Sequence, residues 1–309
     1  MNRIIRKLFS NTTSLVGLIL LFLFIIIAVF APYIAPPLSS DPYQIPRMSW
    51  DVEPQPPGSP MSEEMKFVYE SMGQSLARDN AVFGTSQGGY DIFYGLIWGT
   101  RTAFRIGIIT VTMAMILGVI LGSISAYFGG WIDELLMRIT DIFLSIPFLV
   151  AAMVLTTILG RGLDKVMIAL VSFGWMGYAR VIRGSILCAK EEIYVTAAKA
   201  LGVKDFSIIV RHLLPNTIFP VLVQASMNIG SMVITAAALS FLGVGAPLGY
   251  ADWGQMVSVA RNWIIGSPGH AAEYWYAVFY PGLFLVLFVL SWNLVGDTLR
   301  DILDPRLRG

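Results

Sequence analysis

The distribution of apolar residues divides the chain into six long hydrophobic runs separated by polar segments. The runs cover residues 15–33, 104–128, 139–160, 164–187, 218–243 and 276–296. A helix needs roughly 20 apolar residues to cross about 30 Å of hydrocarbon, so each run is close to or above the length of a membrane span. The pattern predicts an all-α integral membrane protein with six transmembrane helices.

The longest polar interruption, residues 36–103, separates the first run from the second. Its opening part, APPLSSDPYQIPRMSWDVEPQPPGSP, is rich in proline, which excludes regular helix and favours extended conformations. Ser62 is a candidate N-cap for the stretch that follows. Apolar residues then recur at helical spacing, at Met65, Val68, Met72 and Leu76. We expect proline-rich coil followed by one amphipathic helix.

A second polar segment, residues 244–275, precedes the last run. It contains GVGAPLGYADWGQM, which is rich in glycine and carries tryptophan. Glycine and proline favour turns, and tryptophan is enriched at membrane interfaces. The composition therefore predicts turns with aromatic residues at the interface.

The fourth and fifth runs are separated by a charged stretch, EEIYVTAAKALGVKDFSIIVRHLLPN, at residues 191–216. A first apolar face consists of Ile193, Ala197, Ala200 and Leu201, and a second of Val203, Phe206, Ile209 or Val210, and Leu213. Gly202 separates them, because glycine adopts positive φ without a Cβ penalty and so ends helices. We expect Pro215 to stop or kink the second helix. Two interpretations remain open, a helix pair lying in the lipid headgroups and a docking element for a partner protein.

Composition agrees with the membrane assignment. The mean hydropathy is +0.69 and only 13% of the 309 residues are charged, which leaves too little polar surface for a chain of this size in water. The first run is longer than a signal-peptide core and lacks an A-x-A-like cleavage site, so we expect it to remain as an anchor. With a single cysteine, Cys188, the chain has no internal disulfide framework and no cysteine-based metal centre.

The distribution of basic residues predicts the orientation, because short cytoplasmic flanks are enriched in Lys and Arg. Six crossings place both tails and the charged stretch on one side. The basic residues there are Arg3, Arg6, Lys7, Arg180, Arg183, Lys190, Lys199, Lys204, Arg211, Arg300, Arg306 and Arg308. Arg161 and Lys165 are assigned to the opposite side. We therefore expect both termini to be cytoplasmic, with residues 36–103 outside.

Catalytic chemistry finds little support in the sequence. The two histidines, His212 and His270, are assigned to opposite faces, and neither an H-E-x-x-H nor a G-x-S-x-G motif is present. The sequence also lacks G-x-x-x-x-G-K-[ST], so any ATP hydrolysis would come from another chain. An ion-coupled secondary transporter is an alternative, but it would need acidic residues within its spans or internal repeats.

The charged stretch resembles the cytoplasmic loop of binding-protein-dependent ABC importer permeases, whose pattern is E-A-A, three residues, Gly, nine residues, Ile, one residue, Leu-Pro. Ala197, Ala198, Gly202, Leu214 and Pro215 match at the family's spacing. Thr196 replaces the glutamate and His212 the isoleucine. The candidate ATPase-coupling residues are Glu192, Thr196, Ala197, Ala198, Lys199, Gly202, Val203, Phe206, Arg211, His212, Leu214 and Pro215. We call residues 189–217 the coupling loop.

Other segments resemble the dipeptide/oligopeptide/nickel group of that family, in particular its second permease subunit. RHLLPN (211–216), MRITDIFLSIP (137–147) and NLVGDTLRDILDPRLRG (293–309) are similar to signatures of the group. FGTSQGGYDIFYGLIWGTR (83–101) resembles its outer motif G-T-D-x-x-G-R-D, with Ser86 for the Asp and Tyr90 for the Arg. The resemblance divides the chain into residues 1–95, a first helix with an extracytoplasmic segment, and 96–309, a permease core that contains the coupling loop.

The resemblance implies a permease subunit of an ATP-driven importer of di- or oligopeptides, with the type I importer architecture, in the cytoplasmic membrane. Nickel chelates and oligosaccharides remain open as other cargoes. It implies a heterodimer with a homologous permease, two ATPase subunits that bind ATP and magnesium, and an extracytoplasmic substrate-binding protein. It implies no catalytic residue, no metal or cofactor bound by this chain, contact with membrane lipid, and no nucleic-acid partner.

Polar residues within the spans are candidates for the translocation path, because they are costly in lipid. We select Asn228, Ser231 and Thr235; interhelical hydrogen bonding is the alternative role for each. At the cytoplasmic boundary, Arg138 and Asp141 are three residues apart and are predicted to form an ion pair with each other.

Overall fold

The structure, a computed structural model, describes residues 12–73, 78–265 and 272–303. Its helices are α1 (Thr12–Ile34), α2 (Glu63–Ser71), α3 (Ile92–Phe128), α4 (Gly130–Leu144), α5 (Phe148–Leu159), α6 (Leu163–Ala189), α7 (Ile193–Ala200), α8 (Asp205–Ser207), a π-helix (Ile208–Leu213), α9 (Leu214–Thr217), α10 (Phe219–Phe241), α11 (Trp253–Ile265) and α12 (Trp275–Leu303). Two short strands, β1 (Ser59–Pro60) and β2 (Asn80–Ala81), pair antiparallel. The all-α membrane fold is confirmed.

Five helices, α1, α3, α6, α10 and α12, are long and apolar enough to cross a membrane. The third predicted run differs, because it forms two helices, α4 and α5, bent by 87°. Pro147 precedes α5 and lacks an amide proton, and proline disfavours helical geometry in the residue before it, so the helix breaks at residues 145–147. With 12 residues, α5 is too short to span the hydrocarbon alone, so the third predicted span is broken into two helices.

Contacts between helix ends establish which ends share a side. Thr298 near the end of α12 donates a hydrogen bond to Ser14 at the start of α1 (2.8 Å), so the first and last spans have these ends together. Tyr127 at the end of α3 contacts the coupling loop. At the other side, Arg105 pairs with Asp164 at the start of α6 (2.9 Å). The bent pair connects the end of α3 to the start of α6, and counted as one span it brings the spans among the described residues to six.

Helix α3 is longer than a span requires. Its 37 residues extend over about 55 Å at 1.5 Å per residue, well beyond roughly 30 Å of hydrocarbon. It begins at Ile92, where Asp91 caps it by accepting a hydrogen bond from the Phe93 amide (3.0 Å). The division at residues 95/96 therefore falls inside a continuous helix. We call the side that holds the coupling loop the loop side and the opposite side the far side.

On the far side, segment 36–91 folds around a small core of its own. The predicted helix is present as α2, and Ser62 accepts a hydrogen bond from the Met65 amide (3.3 Å) as its N-cap. The core members are Met48, Met61, Met65, Tyr69 and Ala81. Leu76, the fourth member of the predicted apolar face, lies outside the described residues.

Segment 244–275 is a correction to the sequence interpretation. Instead of turns only, it contains the 13-residue helix α11, and Trp253 is buried rather than interfacial, with 3% of its surface exposed. Its ring packs among Phe24, Phe284 and Phe288 at centroid distances of 5.7–6.2 Å. Burial of this ring beside α1 and α12 stabilises more than an interfacial position would, because aromatic side chains bury large apolar areas. His270 lies outside the described residues.

Candidate functional site

The coupling loop is built into the membrane core on one of its faces. Val195, Ile208 and Leu213 are fully buried and belong to the same apolar cluster as Tyr178 and Ile182 of α6. Interiors are close-packed and transmit displacement, so this continuity connects the loop mechanically to the span before it.

Gly202 makes the turn between the two helical parts of the loop, as predicted. Its φ is +75°, in the left-handed region that side chains with a Cβ rarely adopt. The amide of Val203 donates to the carbonyl of Ala198 (3.1 Å), and that of Gly202 to the carbonyl of Lys199 (3.0 Å), which closes the C-terminus of α7. A Cβ at position 202 would contact nothing within 4 Å, so the constraint there is the backbone conformation and not space.

Of the two outcomes predicted for Pro215, a stop or a kink, the structure does not show a stop. The chain stays helical from Asp205 to Thr217, but residues 208–213 widen to a π-helix, in which the Leu214 amide donates to the carbonyl of Ile209. Proline has no amide proton for the carbonyl four residues earlier, and a π-bulge accommodates that missing donor without ending the helix. The following helix, α9, begins at Leu214 with Pro215 in its first turn, where proline is tolerated.

The exposed side of the loop is strongly apolar. Ile193, Leu201 and Phe206 are 85%, 83% and 77% exposed, and Ala197 and Ala200 are exposed beside them. The apolar face predicted for the first helix points outward, whereas Val195 and Ala198, which that face does not include, fill the core.

The remaining candidate residues divide into two groups by exposure. Exposed residues are Glu192, Thr196, Lys199, Arg211 and Pro215, and half-buried residues are Val203, His212 and Leu214. The exposed group surrounds the apolar tips with both signs of charge. A surface of this composition resembles the core and rim of a protein interface.

Polar contacts fasten the loop to the end of α3. The Tyr127 hydroxyl donates to the Asp205 carboxylate (2.5 Å), and the Lys199 ammonium lies 5.2 Å from the centre of the Tyr127 ring. The Lys190 ammonium donates to the carbonyl of Ala126 (3.2 Å). Sequence reasoning missed Tyr127, which no periodicity or motif signals, because its contact depends on where α3 ends.

Ion pairs at the loop-side ends of α4 and α6 replace the predicted pair. Arg183 forms a bidentate pair with Asp133, with both N–O distances 2.6 Å, and Arg180 pairs with Asp141. Arg138 lies 3.7 Å from Glu134, one turn earlier in its own helix. The prediction that Arg138 pairs with Asp141 is therefore wrong. Asp141 faces α6, where a cation is available, and the helix turns Arg138 toward Glu134 instead.

The path candidates lie on one face of α10, together with a residue the sequence interpretation did not select. Gln224, Asn228, Ser231 and Thr235 are spaced by four, three and four residues, which aligns them along a helix. Ser231 is exposed, and Thr235 donates to its carbonyl (2.9 Å). The Gln224 carbonyl oxygen is buried, without a hydrogen-bond partner among the described residues. We call these four residues the polar stripe.

Asn228 shows the alternative role considered above. Its amide donates a hydrogen bond to the hydroxyl of Tyr178 on α6 (2.9 Å). This bond joins the stripe to the helix that leads into the coupling loop.

On the far side, the two departures from the outer motif are paired with each other. The Ser86 amide donates to the Tyr90 carbonyl (2.8 Å), and the Tyr90 hydroxyl accepts a hydrogen bond from Arg47 (2.8 Å). Two carboxyl groups, Asp91 and Asp252, are buried nearby as helix caps, and burial raises the pKa of each to about 6.

Comparison with known proteins gives a consistent result. Residues 114–309 match the model of the family described as "Binding-protein-dependent transport system inner membrane component", and residues 1–57 match the N-terminal transmembrane domain of oligopeptide transport permease C. The chain is 36% identical over 303 residues to the dipeptide transport system permease protein DppC of Alkalihalophilus pseudofirmus, covering 98% of this chain and 89% of the relative.

Two further relatives and one solved structure extend the comparison. The chain is 34% identical to the oligopeptide transport system permease protein OppC of Bacillus subtilis, over 97% of this chain and 87% of the relative. It is 36% identical to the glutathione transport system permease protein GsiD of Pectobacterium atrosepticum, over 81% and 80%. An inward-facing structure of the MetNI methionine ABC transporter matches 69% of this chain and 98% of that chain, with 20% identity and a TM-score of 0.54, which shows a shared fold. The chain therefore belongs to the family of binding-protein-dependent transport system inner membrane components.

Proposed function

We propose that this chain is a permease subunit of an ATP-driven, binding-protein-dependent importer of short peptides. It would pair with a homologous permease, take its energy from two ATPase subunits that bind ATP and magnesium, and receive cargo from a binding protein outside the cell. The relatives named above are permeases for dipeptides, oligopeptides and glutathione, all of which are peptides. That common chemistry supports a peptide cargo over nickel chelates or oligosaccharides.

The observation that carries the proposal is the two-sided construction of the coupling loop. One face is part of the membrane core through Val195 and Leu213, and the opposite face presents exposed Ile193, Leu201 and Phe206. Exposed apolar side chains rimmed by charges are typical of a protein contact. A partner that grips this face would move α6 and α10, because the loop has little freedom to bend between them.

We infer the orientation from charge and helix ends together. The contact of Ser14 with Thr298 supports placing the start of α1 and the end of α12 on one side, and six crossings would put the coupling loop, which Tyr127 joins to the end of α3, on that side as well. Basic residues are concentrated on this side. We propose that the loop side is cytoplasmic and that segment 36–91 is extracytoplasmic.

The proposed transport step moves the two loops of the heterodimer together as the ATPase pair closes. The attached spans would then open a path between the subunits toward the outside. The polar stripe is our candidate for this chain's share of that path, because Ser231 is exposed in the single subunit. Such a residue faces either lipid or a second subunit, and polar groups are costly against lipid.

Reconstituted transport tests the proposal. The chain would be purified with its genomic neighbours, placed in liposomes, and supplied with labelled peptides with and without ATP and the binding protein. We expect accumulation only when both are present. Uptake driven by an ion gradient alone would instead establish a secondary transporter and would reduce the coupling loop to a helix pair at the membrane surface.

A further inference from the structure

A cavity of about 630 Å³ opens on the far side of the molecule. It lies between segment 36–91 and residues 247–250, the loop that follows the polar-stripe helix. Its volume is within the range of about 300–1,000 Å³ found for small-molecule sites. We call it the far-side cavity; it is separate from the coupling loop and from the polar stripe.

The cavity is fixed in place by backbone pairing between its two walls. The Ile45 amide donates to the carbonyl of Gly249, and the Ala251 amide to the carbonyl of Tyr43, both at 2.8 Å. The rings of Tyr43 and Tyr250 stack with centroids 5.6 Å apart. Because residue 250 is only nine positions after the end of α10, the cavity is anchored to the outer end of the proposed path helix.

One cation, Arg47, lines the cavity, and it is held without an acidic partner. Its guanidinium donates to the Tyr90 hydroxyl (2.8 Å) and lies 4.7 Å and 4.9 Å from the ring centres of Tyr90 and Trp50. These contacts position the group but leave its positive charge uncompensated, since Arg47 forms no ion pair among the residues that the structure describes. Guanidinium groups are well suited to bind carboxylates through two parallel hydrogen bonds.

One anion, Asp41, lines the same cavity. Its carboxylate accepts a hydrogen bond from the Tyr43 amide (3.0 Å), which fixes its direction. Within the described ranges it too forms no ion pair. The other lining residues are uncharged, and many are apolar or aromatic, including Trp50, Tyr69 and Leu248.

We propose that the far-side cavity binds a short peptide by its two free ends, with Arg47 receiving the terminal carboxylate and Asp41 the terminal ammonium. The apolar and aromatic walls would hold the side chains between them. A free amino acid carries the same two charges but would leave most of the volume empty, so a peptide is the better match. The inference deepens the proposed peptide transport, because it places a peptide site on this subunit at the outer end of the path.

A binding experiment on the ligand side tests the proposal without changing the protein. The full chain in lipid nanodiscs would be titrated with the tripeptide Ala-Phe-Ala, its N-acetylated form, its C-terminal amide and the doubly blocked form. A hydrogen bond to a charged group contributes about 1.5–3 kcal/mol, so blocking either end should weaken binding by about tenfold or more. Equal affinity for the free and doubly blocked peptides would overturn the proposal, as would undetectable binding of the free peptide or equal binding of free phenylalanine.

Variants then assign each charge to its end of the peptide. Arg47→Gln should weaken free-acid binding and abolish the preference for free acid over amide, and Asp41→Asn should abolish the preference for free amine over N-acetyl. Each preference is the ratio of two affinities measured on the same variant. A substitution that weakens the binding of all peptides equally therefore leaves the ratio unchanged. Arg161→Gln and Asp51→Asn, exposed residues that do not line the cavity, should keep both preferences.

Should Arg47→Gln bind no peptide at all, Arg47→Lys decides the matter. A lysine keeps the charge but loses the planar fork, so a retained preference for free acid over amide supports the proposal and an absent preference overturns it. The binding assay needs neither ATP nor partner subunits. If the cavity proposal fails, peptides with free and with blocked ends will bind equally well while transport stays intact. If the proposed function fails, ATP-dependent uptake will be absent.

Discussion

The coupling loop and segment 36–91 both interrupt the apolar runs of this chain, yet they are attached to the spans in different ways. The coupling loop inserts Val195, Ile208 and Leu213 into the main membrane core. Segment 36–91 has a separate small core around Met65 and also adds Ile45, Tyr43 and Phe83 to the second apolar cluster of the spans. The coupling loop is an extension of the spans, whereas segment 36–91 combines a core of its own with packing against their far-side ends.

This difference assigns two tasks to two regions: the coupling loop transmits displacement to the spans, and segment 36–91 provides a surface for ligand binding. A displacement applied to the coupling loop reaches α6 through packed side chains, because interiors of this density do not absorb it. Segment 36–91 provides a shaped surface, the far-side cavity, around its own small core. Loops that rest on a rigid scaffold commonly carry binding sites.

The largest expected effect comes from truncating one core residue in each region. Leu213→Ala and Met65→Ala each remove a buried side chain, which costs about 2–5 kcal/mol. We expect Leu213→Ala to destabilise the span bundle and reduce ATP-coupled uptake. Met65→Ala should increase hydrogen exchange only in segment 36–91 and leave the protection of α6 unchanged. Hydrogen-exchange mass spectrometry of both variants checks this, and equal loss of protection in α6 would contradict the comparison.

An effect of pH on stability of roughly 3 kcal/mol at most is expected at the buried far-side carboxyl group of Asp252. Burial raises the pKa of Asp252 to about 6 from an ordinary value of 3.8. The folded state therefore keeps its proton up to about pH 6 while the unfolded state releases it near pH 4. Stability of the region around Asp252 should fall as pH rises from about 4 to 6 and stay constant above.

Hydrogen exchange of α11 across pH 4–7, corrected for intrinsic exchange, measures that dependence. Asp252→Asn should flatten it, because an amide keeps an acceptor for the Gln255 amide but does not ionise in this range. Burial also raises the pKa of Asp91 to about 6. We therefore expect the stability of the start of α3 to fall over the same pH range. A pH dependence in α11 that persists unchanged in Asp252→Asn would contradict this assignment.

A smaller effect on folding, with a clear effect on transport, is expected at Gly202. Asn and Asp tolerate positive φ better than other residues with a Cβ, so both substitutions should fold, whereas Gly202→Val should cost about 1–2 kcal/mol. Gly202→Asp adds a charge beside the apolar tips, and we expect ATP-coupled uptake to drop by roughly tenfold, since burying an unpaired charge at a contact is costly. Gly202→Asn serves as the neutral control of matching shape.

Uptake assays with the Gly202 variants complete the test. If Gly202→Asp transports peptides normally, the coupling loop is not the ATPase contact. If Asn and Asp reduce uptake equally, the loss belongs to the backbone turn and not to docking.

Some features of the coupling loop and the spans followed from the sequence because they depend on local chemistry. The turn at Gly202 was predicted from glycine's access to positive φ, and the N-cap at Ser62 from its hydroxyl. The helical fold followed from apolar runs of spanning length. The bend at residues 145–147 was not predicted, because the third run was assigned from hydropathy alone. Ile146-Pro147 carries a local signal for it, since proline disfavours helical geometry in the residue before it.

Other features were decided by contacts between distant segments. Periodicity identified Ile193 and Leu201 as one apolar face of a helix. Only packing within the large apolar cluster determined that Val195 is buried and that this face is exposed. The partner of Asp141 depended on Arg180 across a helix gap. The far-side cavity brings Arg47 and Asp41 beside residues 247–250, some two hundred positions later in the chain.

The sequence by itself determined that this chain enters a membrane, where its spans lie, and where the coupling loop turns, because hydropathy and backbone preference are properties of short stretches. Tertiary structure alone decided which apolar residues remain exposed for a partner, which charges are paired and which two are left facing a cavity. Those outcomes depend on the free energy of packing between segments far apart in the chain, which no local pattern records.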